Sequence, residues 1–188
     1  MKMIELARGN RSTRRFRQSA RLSRERLLQF IETARLAPCG ANLQLVRFTP
    51  VWEEELCERI FPHLNWAGYL KDWDGPGQGQ RPAAYIIIQL PDEDRRHLPV
   101  DAGISAAYIT LSARESGLGS CMIMSFDMQG LSAIISSPEG YSPFLVIALG
   151  VPAEEVVLER AGSGIEYYRD GSGVHHVPKR DLEDLVTR

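Results

Sequence analysis

The sequence predicts an α+β fold, and three observations carry that prediction. Two runs, residues 84–90 (AYIIIQL) and 144–149 (FLVIAL), are continuously apolar and rich in branched side chains, as in strands covered on both faces. Residues 101–116 show the clearest helical period, with Ile104, Ala107, Tyr108 and Leu111 on one stripe. Strands and helices are interspersed without a regular βαβ rhythm, which favours a mixed sheet surrounded by helices over a doubly wound one.

In chain order, residues 23–36 read as a helix. Ser23 can cap it, Leu27, Phe30, Ile31 and Ala34 share a face, and Pro38 and Gly40 stop it. Residues 45–48 suit a short strand and 53–61 a helix ended near Pro62. Residues 71–82 form a loop crowded with Gly75, Pro76, Gly77 and Gly79. In the helix at 101–116, small residues (Ala102, Gly103, Ser105, Ala106, Ala113) occupy much of the remaining surface. That allows close packing on several sides, as at the centre of a domain or a dimer. Gly117 closes it. Residues 120–124 suit a strand and 131–136 a short helix. The tail holds two extended candidates, 165–169 and 174–177, joined by the turn Asp170-Gly171-Ser172-Gly173.

The bulk properties exclude several classes. With 188 residues, 44% hydrophobic and 24% charged, the chain predicts one globular domain over residues 1–188. A net charge of -2 supplies no global field for nucleic acid or an anionic membrane. The basic residues nevertheless crowd toward the N-terminus, which makes a local anion site conceivable. Three scattered cysteines, Cys39, Cys57 and Cys121, fit neither a disulfide framework nor a zinc site. With no apolar core of signal-peptide length in MKMIELARGNRSTRRF, they predict a cytoplasmic protein. The longest apolar runs are far short of the ~20 residues that span a bilayer.

Three stretches carry candidate chemistry. Arg11-Ser12-Thr13-Arg14-Arg15-Phe16 puts guanidinium forks and hydroxyls together, a donor set suited to phosphate, although basic runs are more often solvated turns. Pro38-Cys39-Gly40-Ala41-Asn42-Leu43-Gln44 has two amides two apart. In an extended segment both would face the polar edge of a heterocycle, and an ordinary αβ connection is the equal alternative. Gly117-Leu118-Gly119 follows a helix and precedes a strand, the reverse of the dinucleotide fingerprint, so a Rossmann reading is rejected. The apolar run after it could floor a flat ligand, or simply be core. His175-His176 would face opposite ways on a strand, which argues against a metal. Cys39 reads as a small hydrophobe before a nucleophile.

Together, Arg-Ser-x-Arg-x-Phe (11–16), Ala-Pro-x-x-x-Asn-x-Gln (37–44), Gly-Leu-Gly (117–119) and Ala-Leu-Gly-x-Pro (148–152) make the whole chain resemble the nitroreductase family. The resemblance implies an intertwined homodimer with FMN at the interface and NADH or NADPH as co-substrate. It implies that Arg11, Ser12 and Arg14 hold the FMN phosphate and pyrimidine edge. Pro38, Cys39, Gly40, Asn42 and Gln44 would line the ring and ribityl chain. Met122, Ile123, Met124 and Ser125 would come against the ring face, with the Met124 backbone N–H near N5. Lys179 and Arg180 would be phosphate contacts from the tail. Many members have a basic residue at Asn10, hydroxyls at Cys39 and Gly40, and proline at Leu45, so this chain is expected to bind FMN more weakly than most. At roughly 0.5–1.5 kcal/mol per neutral hydrogen bond, the losses should not abolish binding.

The chemistry implied is ping-pong hydride transfer from NAD(P)H through flavin N5 to a small nitroaromatic, quinone or similar acceptor. A flavin supplies the hard step, so no acid–base dyad is needed. Other flavin chemistry on the same fold (ene reduction, dehalogenation, flavin breakdown) and a non-catalytic flavin-binding module remain alternatives. The loop at 65–81 is expected to shape the acceptor pocket.

Overall fold

The two fully apolar runs lie side by side at the centre of one sheet. In the computed structural model, which describes residues 2–93 and 96–187, the chain opens with helices α1 (Met3–Gly9) and α2 (Arg24–Arg35). Strand β1 (Arg47–Val51), helix α3 (Glu54–Ile60) and strand β2 (Ala84–Pro91) follow, then the long helix α4 (Leu98–Glu115). Strand β3 (Gly119–Ile123), helix α5 (Met128–Ile134) and strand β4 (Tyr141–Gly150) complete the sheet, ordered β1-β2-β4-β3 and antiparallel throughout. The tail forms a second sheet from β5 (Val156–Arg160), β6 (Tyr168–Arg169) and β7 (His175–Lys179), ordered β5-β7-β6. Its pairing is mixed, with β5 parallel and β6 antiparallel to β7.

The unbroken apolar character of β2 and β4 follows from cover on both faces. Ala84, Ile86, Ile88, Leu145, Ile147 and Leu149 pack under α2 and α4, with Leu27, Phe30, Ala106 and Ile109. The alternate residues Tyr85, Ile87, Val146 and Ala148 pack under α3 and α5, with Cys57, Ile60 and Leu131. Side chains alternate across a strand, so neither face can be polar when helices cover both.

Element boundaries follow local signals. Ser23 accepts a hydrogen bond from the Arg26 N–H and caps α2 as expected. The helix expected at 131–136 starts earlier, because Asp127 caps it by accepting from the Gly130 N–H. α4 likewise begins at Leu98, with a proline in its first positions, where a missing N–H costs nothing. The strand expected at 45–48 instead runs over β1. Helix α1 and strand β5 escaped prediction: α1 buries no residue, and neither element shows a sustained apolar period.

The helical period of α4 left open which side meets the sheet, and the stripe Ile104, Ala107, Tyr108 and Leu111 is not that side. The small side, Ala102, Ala106, Ile109 and Ala113, is fully buried against the sheet, while Tyr108 is exposed. Small residues let the helix axis approach the strands, and the larger stripe is left facing outward. Residues 40–44 are also not extended. A 3₁₀ turn spans Gly40–Asn42, and Ala41, Asn42 and Gln44 all have positive φ (48°, 55° and 53°). The side chains of Asn42 and Gln44 therefore do not share a face by strand alternation.

Candidate functional site

The N-terminal motif is laid against the start of β3. Ser12 bridges to Ser120 in parallel, and the Thr13 N–H donates to the Ser120 carbonyl at 2.8 Å. The approach is so close that a Cβ on Gly119 would lie 2.6 Å from Thr13 Oγ1, so a side chain there would displace the motif. Gly117, at φ +78°, ends α4 in the left-handed conformation that glycine tolerates best. The Phe16 of the motif is an anchor: it is fully buried and bridges to Pro152.

Asn10, Arg11, Ser12, Thr110, Ser120 and Met122 line a cleft of about 110 Å³. The Asn10 side chain donates to Thr110 Oγ1 at 3.1 Å, tying the motif to the C-terminal half of α4. Arg11 Nη2 donates to the Ala7 carbonyl at 2.8 Å, whereas its Nε is buried without a partner among the described residues. Burial lowers the Arg11 pKa from its ordinary value. The lining carries amide, hydroxyl and guanidinium groups and no carboxylate, which is the donor set an anion requires.

Arg14 does not join that cleft's lining. It is 8% exposed, its Nη1 lies 3.0 Å from His175 Nε2, and its guanidinium sits 4.5 Å over the Tyr167 ring. The Glu154 side chain is 1% exposed and accepts from the backbone N–H groups of Arg14 and Arg15 and from Arg169 Nη2 at 2.9 Å. Arg15 and Arg169 both lie over Trp73. Glu154, Tyr167 and Arg169 were not singled out in the sequence. No local pattern marks them, because they meet the motif only through the fold.

The second stretch lines a different cleft, of about 310 Å³, with Ile31, Pro38, Cys39, Gln44, Phe48 and Ser105 among its walls. Its loop is pinned by the Gly40 N–H donating to Asp101 Oδ1 at 2.9 Å, at the N-terminal end of α4. Left-handed non-glycine residues cost about 1–2 kcal/mol each, and such strain gathers at functional sites. Asp101 and Thr110 are separated by about 13 Å of helix rise. One chain thus holds the two clefts toward opposite ends of α4.

At the end of β3, Met122 is 44% and Met124 64% exposed, while Ile123 points into the core. Of the expected apolar platform, the two methionine side chains are therefore available, and Ile123 offers only backbone. Ser125 Oγ accepts from Asn65 Nδ2 at 3.1 Å, and the Asn65 N–H donates to the Ser125 carbonyl at 2.9 Å. Lys179 ends β7 opposite Arg160, and Arg180 follows it, both exposed. They lie about 13 Å or more along the strand from His175, the residue of β7 that meets Arg14. His175 is fully buried and His176 is not, as expected for neighbours on a strand.

Residues 7–151 match the sequence profile described as the Nitroreductase family. A protein of Methanothermobacter thermautotrophicus, named provisionally as an NADH dehydrogenase/NAD(P)H nitroreductase, is 26% identical over 82% of this chain and 79% of its own. An iodotyrosine deiodinase of Haliscomenobacter hydrossis is 25% identical over 79% of this chain and 78% of its own. Among solved structures, an FMN-dependent nitroreductase of Clostridium difficile R20291 superimposes with a TM-score of 0.67 at 25% identity, covering 81% of this chain and 89% of that one.

Proposed function

This chain belongs to the nitroreductase family, and from that membership we propose that it is an FMN-dependent oxidoreductase carrying hydride from NAD(P)H to a small nitroaromatic, quinone or similar acceptor. The observation that carries the reading is the carboxylate-free cleft at Arg11 and Ser12, with a buried Arg11 Nε unpartnered among the described residues, beside the exposed Met122 and Met124 at the end of β3. These residues fit FMN chemically: a cationic, hydroxyl-bearing end for phosphate and an apolar surface for a flat ring. Bound FMN would supply the hydride-accepting and hydride-donating centre, by alternation of nicotinamide and acceptor in one place.

The chain's own groups bind and orient. Arg11 and Ser12 hold the phosphate, Arg14 meets the pyrimidine edge, Met122 and Met124 cover a ring face, and the backbone N–H of Met124 addresses the reacting edge. Pro38, Cys39, Gly40, Asn42 and Gln44 line the ring and ribityl chain from a second copy. The stripe on α4 that turns from the sheet, with Tyr108 exposed and Ile104, Ala107 and Leu111 half-buried, supports this homodimer. Antiparallel pairing of two α4 helices about a two-fold axis brings the Gly40 end of one chain to the Thr110 end of the other. A cleft at each end of one helix is what such a shared site requires. Lys179 and Arg180 are assigned to phosphate from the tail.

The test is spectral. The purified protein should release FMN, and anaerobic NADH or NADPH should bleach it, with reoxidation by a nitroaromatic or quinone. FAD, or failure to bind flavin on reconstitution, sinks the reading. Arg11→Ala should weaken FMN by about 1.5–3 kcal/mol, the scale of a charge-assisted hydrogen bond. A monomeric mass by light scattering with flavin bound removes the shared site. The similarity to a deiodinase favours reductive dehalogenation as the second reading; halide release from halogenated phenols separates the two.

A further inference from the structure

A buried cation normally has a buried anion beside it, because an unpaired charge away from water is costly. Among the described residues, no carboxylate pairs with the guanidinium of Arg14. Its guanidinium is held by a neutral imidazole at 3.0 Å and by the face of Tyr167 at 4.5 Å. The nearby carboxylate, Glu154, is committed to Arg169 and to the backbone N–H groups of Arg14 and Arg15.

The chemistry of the Arg14 contact determines the state of His175. A guanidinium has donors and no acceptor, so His175 Nε2 must accept and the ring proton must sit on Nδ1. Burial, reinforced by the positive charges of Arg14 and Arg169, pushes the His175 pKa down to about 4, so the ring stays neutral at ordinary pH. Arg14 is thereby fixed in direction while its full positive charge remains. A glutamate in place of His175 would fix it equally well and cancel that charge.

We propose that His175 is a positioning residue, delivered by the tail strand β7, that orients Arg14 and leaves it positively charged for the anionic edge of the bound flavin. This rests on the assignment of Arg14 to the flavin's pyrimidine edge. It makes the tail part of the redox machinery, because His175 of β7 and Tyr167, just before β6, both touch Arg14.

The experiment uses the full chain reconstituted with FMN. FMN affinity is read by fluorescence titration and the flavin midpoint potential by dye-linked reduction, in the wild type, Arg14→Ala, His175→Gln, His175→Leu and His175→Glu. His175→Gln keeps a neutral acceptor and should match the wild type in both readouts. His175→Leu loses the acceptor and should weaken FMN roughly tenfold, the scale of one hydrogen bond to a charged group. His175→Glu should lower the potential as Arg14→Ala does, since the added carboxylate cancels the same charge. A tenfold loss of preference for reduced over oxidised flavin reads as about 30 mV for a two-electron couple.

If Arg14→Ala lowers the potential but His175→Glu does not, and His175→Leu leaves FMN affinity unchanged, the positioning role is overturned while the Arg14 assignment stands. If Arg14→Ala changes neither affinity nor potential, the assignment of Arg14 falls and the proposal falls with it. Should His175→Leu fail to fold by circular dichroism, the Gln and Glu variants decide. A Gln variant that loses FMN affinity, or a Glu variant that leaves the potential at the wild-type value, overturns the positioning role.

Discussion

The central sheet and the tail sheet of this protein are built from different materials. Strands β2 and β4 are largely apolar, buried over most of their length, and covered by helices on both faces. The tail sheet has no buried strand longer than a residue or two, and its residues are held by charge and ring contacts. His176 stacks on Tyr168 at 4.6 Å and lies between Glu159 and Asp170, at 3.1 and 3.3 Å. On the other side of β7, His175 and Tyr167 close over Arg14. Burial of apolar surface is non-directional and tolerates approximate shapes, whereas charged contacts fail when one partner goes. The core can therefore be degraded gradually, while the tail depends on a few named groups.

Glu154 tests this most severely. Glu154→Ala leaves the Arg169 guanidinium and two backbone N–H groups without their acceptor and should cost about 3–5 kcal/mol, the range for breaking a buried pair. Hydrogen exchange should locate the loss in residues 154–179 before the central strands. A loss under about 1 kcal/mol would mean that the tail is not held by this carboxylate. In the core, Ile147→Ala should cost about 2–5 kcal/mol by urea denaturation. Its effect should be global, with exchange protection lost together in β2 and β4.

The two adjacent histidines should give the tail opposite pH dependences. His175, with its folded pKa near 4 and an ordinary value of 6.5, binds fewer protons folded than unfolded across that window. Stability should therefore fall as pH drops from about 6.5 toward 4. Desolvation lowers His176, but its hydrogen bonds to Asp170 and Glu159 and the charges of those carboxylates together raise it. Its contribution is complete below about 6.5 and is lost as pH rises through its raised folded value. Tail stability by exchange should thus peak near the ordinary imidazole pKa. His175→Gln should flatten the acid limb and His176→Gln the alkaline limb; persistence of either limb rejects that assignment. The smallest effect expected is for Tyr168→Leu, about 0.5–1.5 kcal/mol for the lost ring stack, read in the same exchange experiment.

The parts of the fold legible in the sequence are those made by burial alone. Residues 84–90 and 144–149 read as doubly covered strands because both alternating faces are apolar, and they are. Ser23 announced its helix because a cap is a local hydrogen bond. α1 was silent because it buries nothing, and the outward turn of the α4 stripe was hidden because period alone does not say which face meets the sheet. In the candidate site, Arg11 and Ser12 were legible as a donor cluster, and the structure brings them to one cleft. The extended reading of Asn42 and Gln44 failed because the left-handed turn at 41–44 lacks the glycines that usually announce one.

By itself, then, the sequence determined the α+β class, the two central strands and the family, through the order and spacing of four short motifs. Each of these is a property of neighbours in the chain: period, caps and local donor sets. Only the tertiary structure decided that the Arg14 side chain meets His175, 161 residues later, and that Glu154 ties the backbones of Arg14 and Arg15 to Arg169. Those partners are distant in sequence and join through single side-chain contacts. Such contacts leave no period to read; they exist only once the two sheets have been packed.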